Sequence, residues 1–136
     1  MEISEVTPEF AVAPQIKPED VAALHDRGIV ALICNRPDGE EEGQPEVAAI
    51  RRAAEEQGMA FHHIPVSGGN FPEGAVATFR AVRRGTEGPI LAYCRTGTRS
   101  ITLDTLANPD GVSPADRIHR AKAAGYDLSA IEGQLT

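Results

Sequence analysis

One short stretch of the sequence combines a cysteine, a glycine, two arginines and three hydroxyl side chains. It is Cys94-Arg95-Thr96-Gly97-Thr98-Arg99-Ser100, and it directly follows the apolar run Ile90–Tyr93. A cysteine thiolate is a strong nucleophile. A turn from a strand into a helix stabilises such an anion, because the N–H groups at the start of a helix are unpaired and the helix dipole is positive there. We therefore predict that Cys94 is the nucleophile of a small enzyme.

The neighbours of Cys94 suit this chemistry. Gly97 has no Cβ and permits tight curvature. Arg99 can present a planar fork to an anionic oxygen or sulfur, and Ser100 can donate a hydrogen bond to the sulfur as it leaves. The predicted catalytic residues are therefore Cys94, Arg99 and Ser100. The residues predicted to bind an anion or a substrate are the rest of this loop and two residues of an acidic segment: Arg95, Thr96, Gly97, Thr98, Arg36 and Asp38.

Structural alternatives exist for several of these residues. Free cysteines are often buried as small apolar side chains, and this interpretation fits Cys34 better than Cys94, because Cys34 lies inside an apolar run. Arg36 could instead form a salt bridge with Asp38 or Glu40, and the acidic side chains could simply be solvated. For the whole chain, the alternative to an enzyme is a non-catalytic module that binds an anion.

The elements that must position the cysteine loop alternate between strands and helices. Apolar runs predict strands at Phe10–Val12, Ile29–Cys34, Met59–Val66 and Ile90–Tyr93. Segments with helical spacing, bounded by Pro or Gly, predict helices that begin near Pro18, Glu46, Pro72, Arg99 and Pro114. This alternation predicts an α/β fold with a mostly parallel central sheet of four to five strands and helices on both faces. Binding sites form beyond the carboxyl ends of such strands, so Cys94, Arg36 and Ser67 should converge on one rim.

Length and composition limit the remaining possibilities. The 136 residues suit a single domain, 1–136. The net charge of −7 argues against a nucleic-acid surface, and no apolar run is long enough to cross a membrane. The two cysteines have no further ligands close by, so we predict neither a metal site nor a cofactor. The acidic start lacks the pattern of a signal peptide, which predicts a cytoplasmic protein.

Several motifs beside the cysteine loop carry a resemblance to known families. They are Asn35–Glu40, Gln44-Pro45, Ile64–Val66, Gly88-Pro89, Leu91–Cys94, Gly97–Ser100 and the tail Ala123–Leu128. The loop resembles those of cysteine-based phosphatases and rhodanese-type sulfurtransferases. The whole set resembles a bacterial family of small candidate phosphatases with a fold like that of dual-specificity phosphatases. Members also form the front domain of beta-lactamase-hydrolase-like proteins, for which sulfur transfer has been assigned.

The length of the cysteine loop favours sulfur transfer over phosphate ester hydrolysis. Four residues separate Cys94 from Arg99, whereas the resemblance implies five in ordinary cysteine phosphatases and the shorter spacing in rhodanese-type enzymes. A smaller ring of amides suits a persulfide better than a phosphoryl group with its three oxygens.

The general acid is the second discriminating feature. The segment Ile64–Asn70, where dual-specificity phosphatases carry an acidic residue that protonates the leaving group, contains no Asp. Asp38, Glu40 or Glu41 could replace it. We therefore predict a sulfurtransferase that moves sulfur through a Cys94 persulfide. Its partners would be a small anionic or persulfide substrate and a thiol acceptor. The alternative is a phosphatase that forms a Cys94 phosphocysteine.

Overall fold

A computed structural model describes residues 1–136, and at its centre is a five-stranded sheet. The strands are β1 (Ser4–Thr7), β2 (Phe10–Ala13), β3 (Ala31–Cys34), β4 (Ala60–His63) and β5 (Ile90–Tyr93). Their order across the sheet is β1-β2-β5-β3-β4, with β5 in the middle. Only the β1–β2 pair is antiparallel; β2, β5, β3 and β4 are mutually parallel. The carboxyl ends of these four strands therefore lie on one edge.

The helices cover both faces of the sheet, because residues along each strand point alternately to either side. They are α1 (Val21–Asp26), α2 (Val47–Glu56), α3 (Glu73–Gly85), α4 (Thr98–Ala107) and α5 (Pro114–Ala123), with short 3₁₀ turns at Pro18–Asp20 and Ser129–Gln134. Phe10 and Val12 of β2 pack under α3, α4 and α5, whereas Ala11 and Ala13 pack under α1 and α2. The predicted α/β architecture is confirmed.

Three strands differ from the sequence-based expectation by more than one residue, and one of them, β3, begins at Ala31 instead of Ile29. The edge strand β1 was not predicted, because three of its four residues, Ser-Glu-Val-Thr, are polar and it shows no apolar run. β4 ends at His63, short of the predicted end at Val66. Pro65 has no N–H to donate, but Ile64 N and Val66 N still bind the carbonyl oxygens of Cys34 and Asn35. The chain beyond β4 therefore remains attached to the rim.

The central position of β5 determines where the cysteine loop lies. β5 is buried along its whole length between β2 and β3, and Cys94 follows its last residue. The loop then enters α4 at Thr98, so its backbone is bounded by a buried strand and a helix start. No helix has the length and apolar character that crossing a bilayer would require. The cytoplasmic location stays a prediction.

Candidate active site

Cys94 lies at the base of the loop with its sulfur facing a backbone amide. The residue has no exposed surface. Gly97 N–H donates to Cys94 Sγ, with 3.1 Å between N and S. Gly97 has a φ of 93°, in the left-handed region that glycine tolerates without strain. The turn from β5 into α4 therefore directs an N–H donor at the sulfur, as an anion at a helix start requires.

The carbonyl groups of the loop are held on its outer side. Arg95 O accepts from Gln15 N at 3.3 Å, and Thr96 O accepts from the hydroxyl of Tyr126 at 2.9 Å. All peptide bonds are trans, so each carbonyl points opposite to the next N–H. The N–H groups of Thr96 and Gly97 therefore point away from these outer partners and toward the interior of the loop.

Arg99 reaches over this loop and is held by a carboxylate. Its Nη1 and Nη2 donate to the two carboxylate oxygens of Glu40, each at 2.8 Å, and Nη1 also donates to Val66 O at 2.9 Å. Arg36 Nε adds a third bond to Glu40 at 2.9 Å. The hydrogen bonds from Arg99, and those from Arg36, lower the pKa of Glu40 to about 2. Glu40 is therefore ionised at neutral pH.

A pocket of about 520 Å³ opens above these groups. It is lined by Arg36, Glu40, Glu41, Gly68, Arg95 and Arg99. The loops after three different strands thus meet on the rim, as the topology of parallel strands requires. Arg36 is buried, and besides Glu40 its guanidinium binds Glu41 at 3.2 Å and Gln15 at 3.0 Å. Arg95 is exposed and lies 3.8 Å from Glu41. Arg36 thus forms the salt bridge to Glu40 that was its structural alternative, and its assignment to anion binding stays a prediction.

Some residues that the sequence assigned to the site have other partners. Ser100 Oγ donates to Asn35 Oδ1 at 2.8 Å, and both residues are buried, so this hydroxyl is not bound to the sulfur. Asp38 accepts from Val47 N at 2.8 Å and satisfies the first turn of α2. It does not line the pocket. These contacts give Ser100 and Asp38 structural partners, and their assignment to catalysis and to anion binding stays a prediction.

The two threonines of the loop lie on its exposed side. Thr96 Oγ1 donates to Thr98 Oγ1 at 3.0 Å and also accepts from Thr98 N at 3.4 Å. Neither hydroxyl contacts the sulfur. An anion would therefore be bound by the backbone N–H groups of these residues and not by their side chains. Cys34, by contrast, is buried within the core, and burial raises the pKa of its thiol. It has the structural environment that its sequence context predicted.

Three residues near the site were not recognised from the sequence. Gln15 and Tyr126 bind the loop from outside, and Asn35 ties Ser100 to the carbonyl of Ile64. No periodicity or motif spacing indicates such contacts, because they join segments that are distant along the chain. Tyr126 lies in a tail motif that carried the family resemblance, but the motif gives no hint of its partner.

The comparisons with known proteins identify the family. A family model described as the phosphatase-like domain of beta-lactamase hydrolase-like protein matches residues 2–111. The chain belongs to this family. The beta-lactamase hydrolase-like protein of Agrobacterium fabrum is 35% identical over 132 residues, which are 96% of this chain and 31% of that protein. The chain thus spans about a third of the length of the curated relatives it matches.

Solved structures support the same assignment. A candidate phosphatase from Neisseria meningitidis Z2491 superimposes with a TM-score of 0.85 at 38% identity, covering 98% of this chain and 96% of that one. The catalytic core of the yeast PP-IP phosphatase Siw14 gives a TM-score of 0.69 at 17% identity, with coverage of 97% and 81%. The second match shows the fold alone. The expected resemblance to a bacterial phosphatase family with a dual-specificity-phosphatase-like fold is confirmed.

The comparisons also bear on the choice between the two chemistries. The family model and the Neisseria structure carry phosphatase descriptions, and neither supports the sulfurtransferase that the loop length favoured. They favour the phosphatase, which the sequence placed second.

Proposed function

We propose that this domain is a phosphatase-type hydrolase with Cys94 as its nucleophile. The observation that carries the proposal is the contact between Gly97 N–H and Cys94 Sγ at the start of α4. Such a donor stabilises negative charge on the sulfur and then on oxygens that bind in the same ring. Membership of the phosphatase-like family supports the same chemistry.

The reaction would proceed in two displacements. The Cys94 thiolate attacks phosphorus and forms an S–P bond, and the P–O bond to the leaving group breaks with its electron pair on oxygen. Water then attacks the phosphocysteine, releasing inorganic phosphate and regenerating the thiolate. Arg99 and the loop amides stabilise the equatorial oxygens in both steps.

Protonation of the leaving group limits the substrates that fit this site. The segment Ile64–Asn70 has no acidic side chain, and Glu40 is ionised because its pKa is about 2. A carboxylate that has already lost its proton cannot donate one. We therefore expect aryl phosphates, which leave as stable anions, to react faster than alkyl phosphates.

Sulfur transfer through a Cys94 persulfide is the second candidate function. The four-residue spacing between Cys94 and Arg99 and the ionised state of Glu40 both favour it. In that reaction the thiolate attacks the outer sulfur of a persulfide or thiosulfate, and the S–S bond breaks with its electron pair on the departing thiolate or sulfite. A thiol or cyanide then attacks the outer sulfur of the Cys94 persulfide and regenerates the Cys94 thiolate. No leaving oxygen needs a proton.

One pair of assays distinguishes these functions. The protein is incubated with p-nitrophenyl phosphate in one assay and with thiosulfate and cyanide in the other. Cys94→Ser is compared with Cys34→Ala, which removes a thiol from the core instead of from the loop. Aryl phosphate turnover that Cys94→Ser abolishes and Cys34→Ala retains supports the phosphatase. Cys94-dependent thiocyanate formation without phosphate release would replace it with the sulfurtransferase. No turnover in either assay would indicate an anion-binding module.

A further inference from the structure

Tyr126 contacts the cysteine loop from a distant part of the chain. It follows α5 and lies beyond residues 2–111, the part that the family model matches. Gly125 before it has a φ of 102°, and Tyr126 N donates to Ala121 O at 2.9 Å. The ring is half-buried and packs against the apolar core on the α5 side of the sheet. The backbone hydrogen bond of Tyr126 and the packing of its ring together fix the position of its hydroxyl.

The Tyr126 hydroxyl lies on the outer side of the Thr96–Gly97 peptide. The Tyr126 hydroxyl donates to Thr96 O at 2.9 Å. A Cβ on Gly97 would lie 2.3 Å from the same hydroxyl oxygen and 3.0 Å from the ring carbon that bears it. No side chain beyond hydrogen fits there. The tyrosine is therefore packed directly against this peptide as well as hydrogen-bonded to it.

The carbonyl and the N–H of the Thr96–Gly97 peptide point in opposite directions and bind different groups. Its carbonyl binds Tyr126, and its N–H donates to Cys94 Sγ at 3.1 Å. Because a trans peptide is planar, fixing the carbonyl also fixes the direction of the N–H. A rotated peptide would turn Thr96 O toward the sulfur and would destabilise an anion there. The hydrogen bond from Tyr126 on the outer side of the loop thus keeps the Gly97 N–H directed at the sulfur on the inner side.

We propose that Tyr126 is a positioning residue of the reaction, which holds the Gly97 N–H in the orientation that stabilises negative charge on Cys94. The proposal rests on the proposed function only in that Cys94 acts as a thiolate. Burial raises the pKa of Tyr126, so its hydroxyl remains a protonated donor at neutral pH. Tyr126 touches no reacting atom, and its effect passes through the peptide.

The test compares two conservative substitutions. Tyr126→Phe removes the donor and keeps the ring. Tyr93→Phe is the matched control, because the Tyr93 hydroxyl is buried beside Cys34 and makes no hydrogen bond to the cysteine loop. Both are made in a Cys34→Ala background, so that Cys94 is the single thiol. The readouts are the rate of Cys94 alkylation by iodoacetamide at neutral pH, kcat and KM for p-nitrophenyl phosphate, and hydrogen exchange of the Gly97 amide.

Tyr126→Phe is expected to slow alkylation about fivefold, the effect of losing one ordinary hydrogen bond. It should lower kcat by a similar factor and accelerate exchange of the Gly97 amide, with KM little changed because Arg99 is retained. Tyr93→Phe should change none of these. Equal alkylation rates in the two variants, or unchanged Gly97 exchange in Tyr126→Phe, would overturn the proposal. If the unsubstituted protein hydrolyses no phosphate but Tyr126→Phe still slows alkylation, the proposed function fails and this inference stands.

Discussion

Replacing Glu40 by glutamine is the substitution whose outcome the site geometry predicts most directly. The carboxylate of Glu40 binds both terminal nitrogens of Arg99. An incoming phosphate needs the same guanidinium and must compete with Glu40 for it. Cys94 has no exposed surface, so some rearrangement must precede attack. Glu40→Gln removes the competing charge and keeps the shape of the side chain.

The expected gain in phosphate affinity depends on the strength of the ion pair between Arg99 and Glu40 that phosphate has to replace. Glu40 and Arg99 are partly exposed, at 24% and 18%, so their bidentate pair is weaker than a fully buried one. Arg36 Nε can keep its bond to Glu40 when Arg99 leaves. We therefore assign roughly 1 kcal/mol to the pair that is lost, which makes binding of inorganic phosphate about fivefold tighter in Glu40→Gln.

The assay is calorimetric titration of inorganic phosphate into Cys94→Ser protein, with and without Glu40→Gln. Glu42→Gln is the matched control, since Glu42 belongs to the same acidic segment, is exposed, and carries the same charge. It should leave the affinity nearly unchanged. Weaker binding in Glu40→Gln would refute the competition and show instead that Glu40 orients Arg99. A fall in kcat for alkyl phosphates alone, with unchanged affinity, would make Glu40 a proton donor.

Other substitutions test the structural contacts around the site. Asp38→Ala should lower the free energy of unfolding by about 1 kcal/mol in thermal unfolding, because Val47 N loses its acceptor, and unchanged turnover in the phosphatase assay would contradict the anion-binding role that the sequence predicts for Asp38. Asp104→Ala should cost about 2 kcal/mol, which urea unfolding would detect, because the buried Nε of Arg83 loses its carboxylate at 2.8 Å while Nη2 keeps Asp110. The ion pairs of Glu40 depress its pKa to about 2, so their contribution to stability is present above its ordinary pKa near 4.5 and is lost as pH falls toward 2. Acid unfolding of Glu40→Gln should lack this part of the pH dependence.

The fold could be predicted from the sequence wherever a segment carries its own pattern. The run Ile90–Tyr93 is apolar throughout, because β5 is buried on both faces, and its predicted bounds match the structure. β1 lies at an edge with its polar residues half exposed. A strand of that kind is stabilised by pairing with its neighbour, and its own residues give no periodic signal.

The sequence by itself determined the α/β class, the loop from Cys94 to Ser100 and its place directly after a strand, because these depend on local composition and on the alternation of strands and helices. The tertiary structure decided which groups bind one another. It placed Glu40 on Arg99, Tyr126 on Thr96 O and Ser100 on Asn35, across separations of 59, 30 and 65 residues. Such contacts depend on the relative positions of whole elements, to within the short range of a hydrogen bond. The local residue pattern does not encode those positions. The binding of Glu40 to Arg99 and of Tyr126 to the cysteine loop could therefore be recognised only in the folded chain.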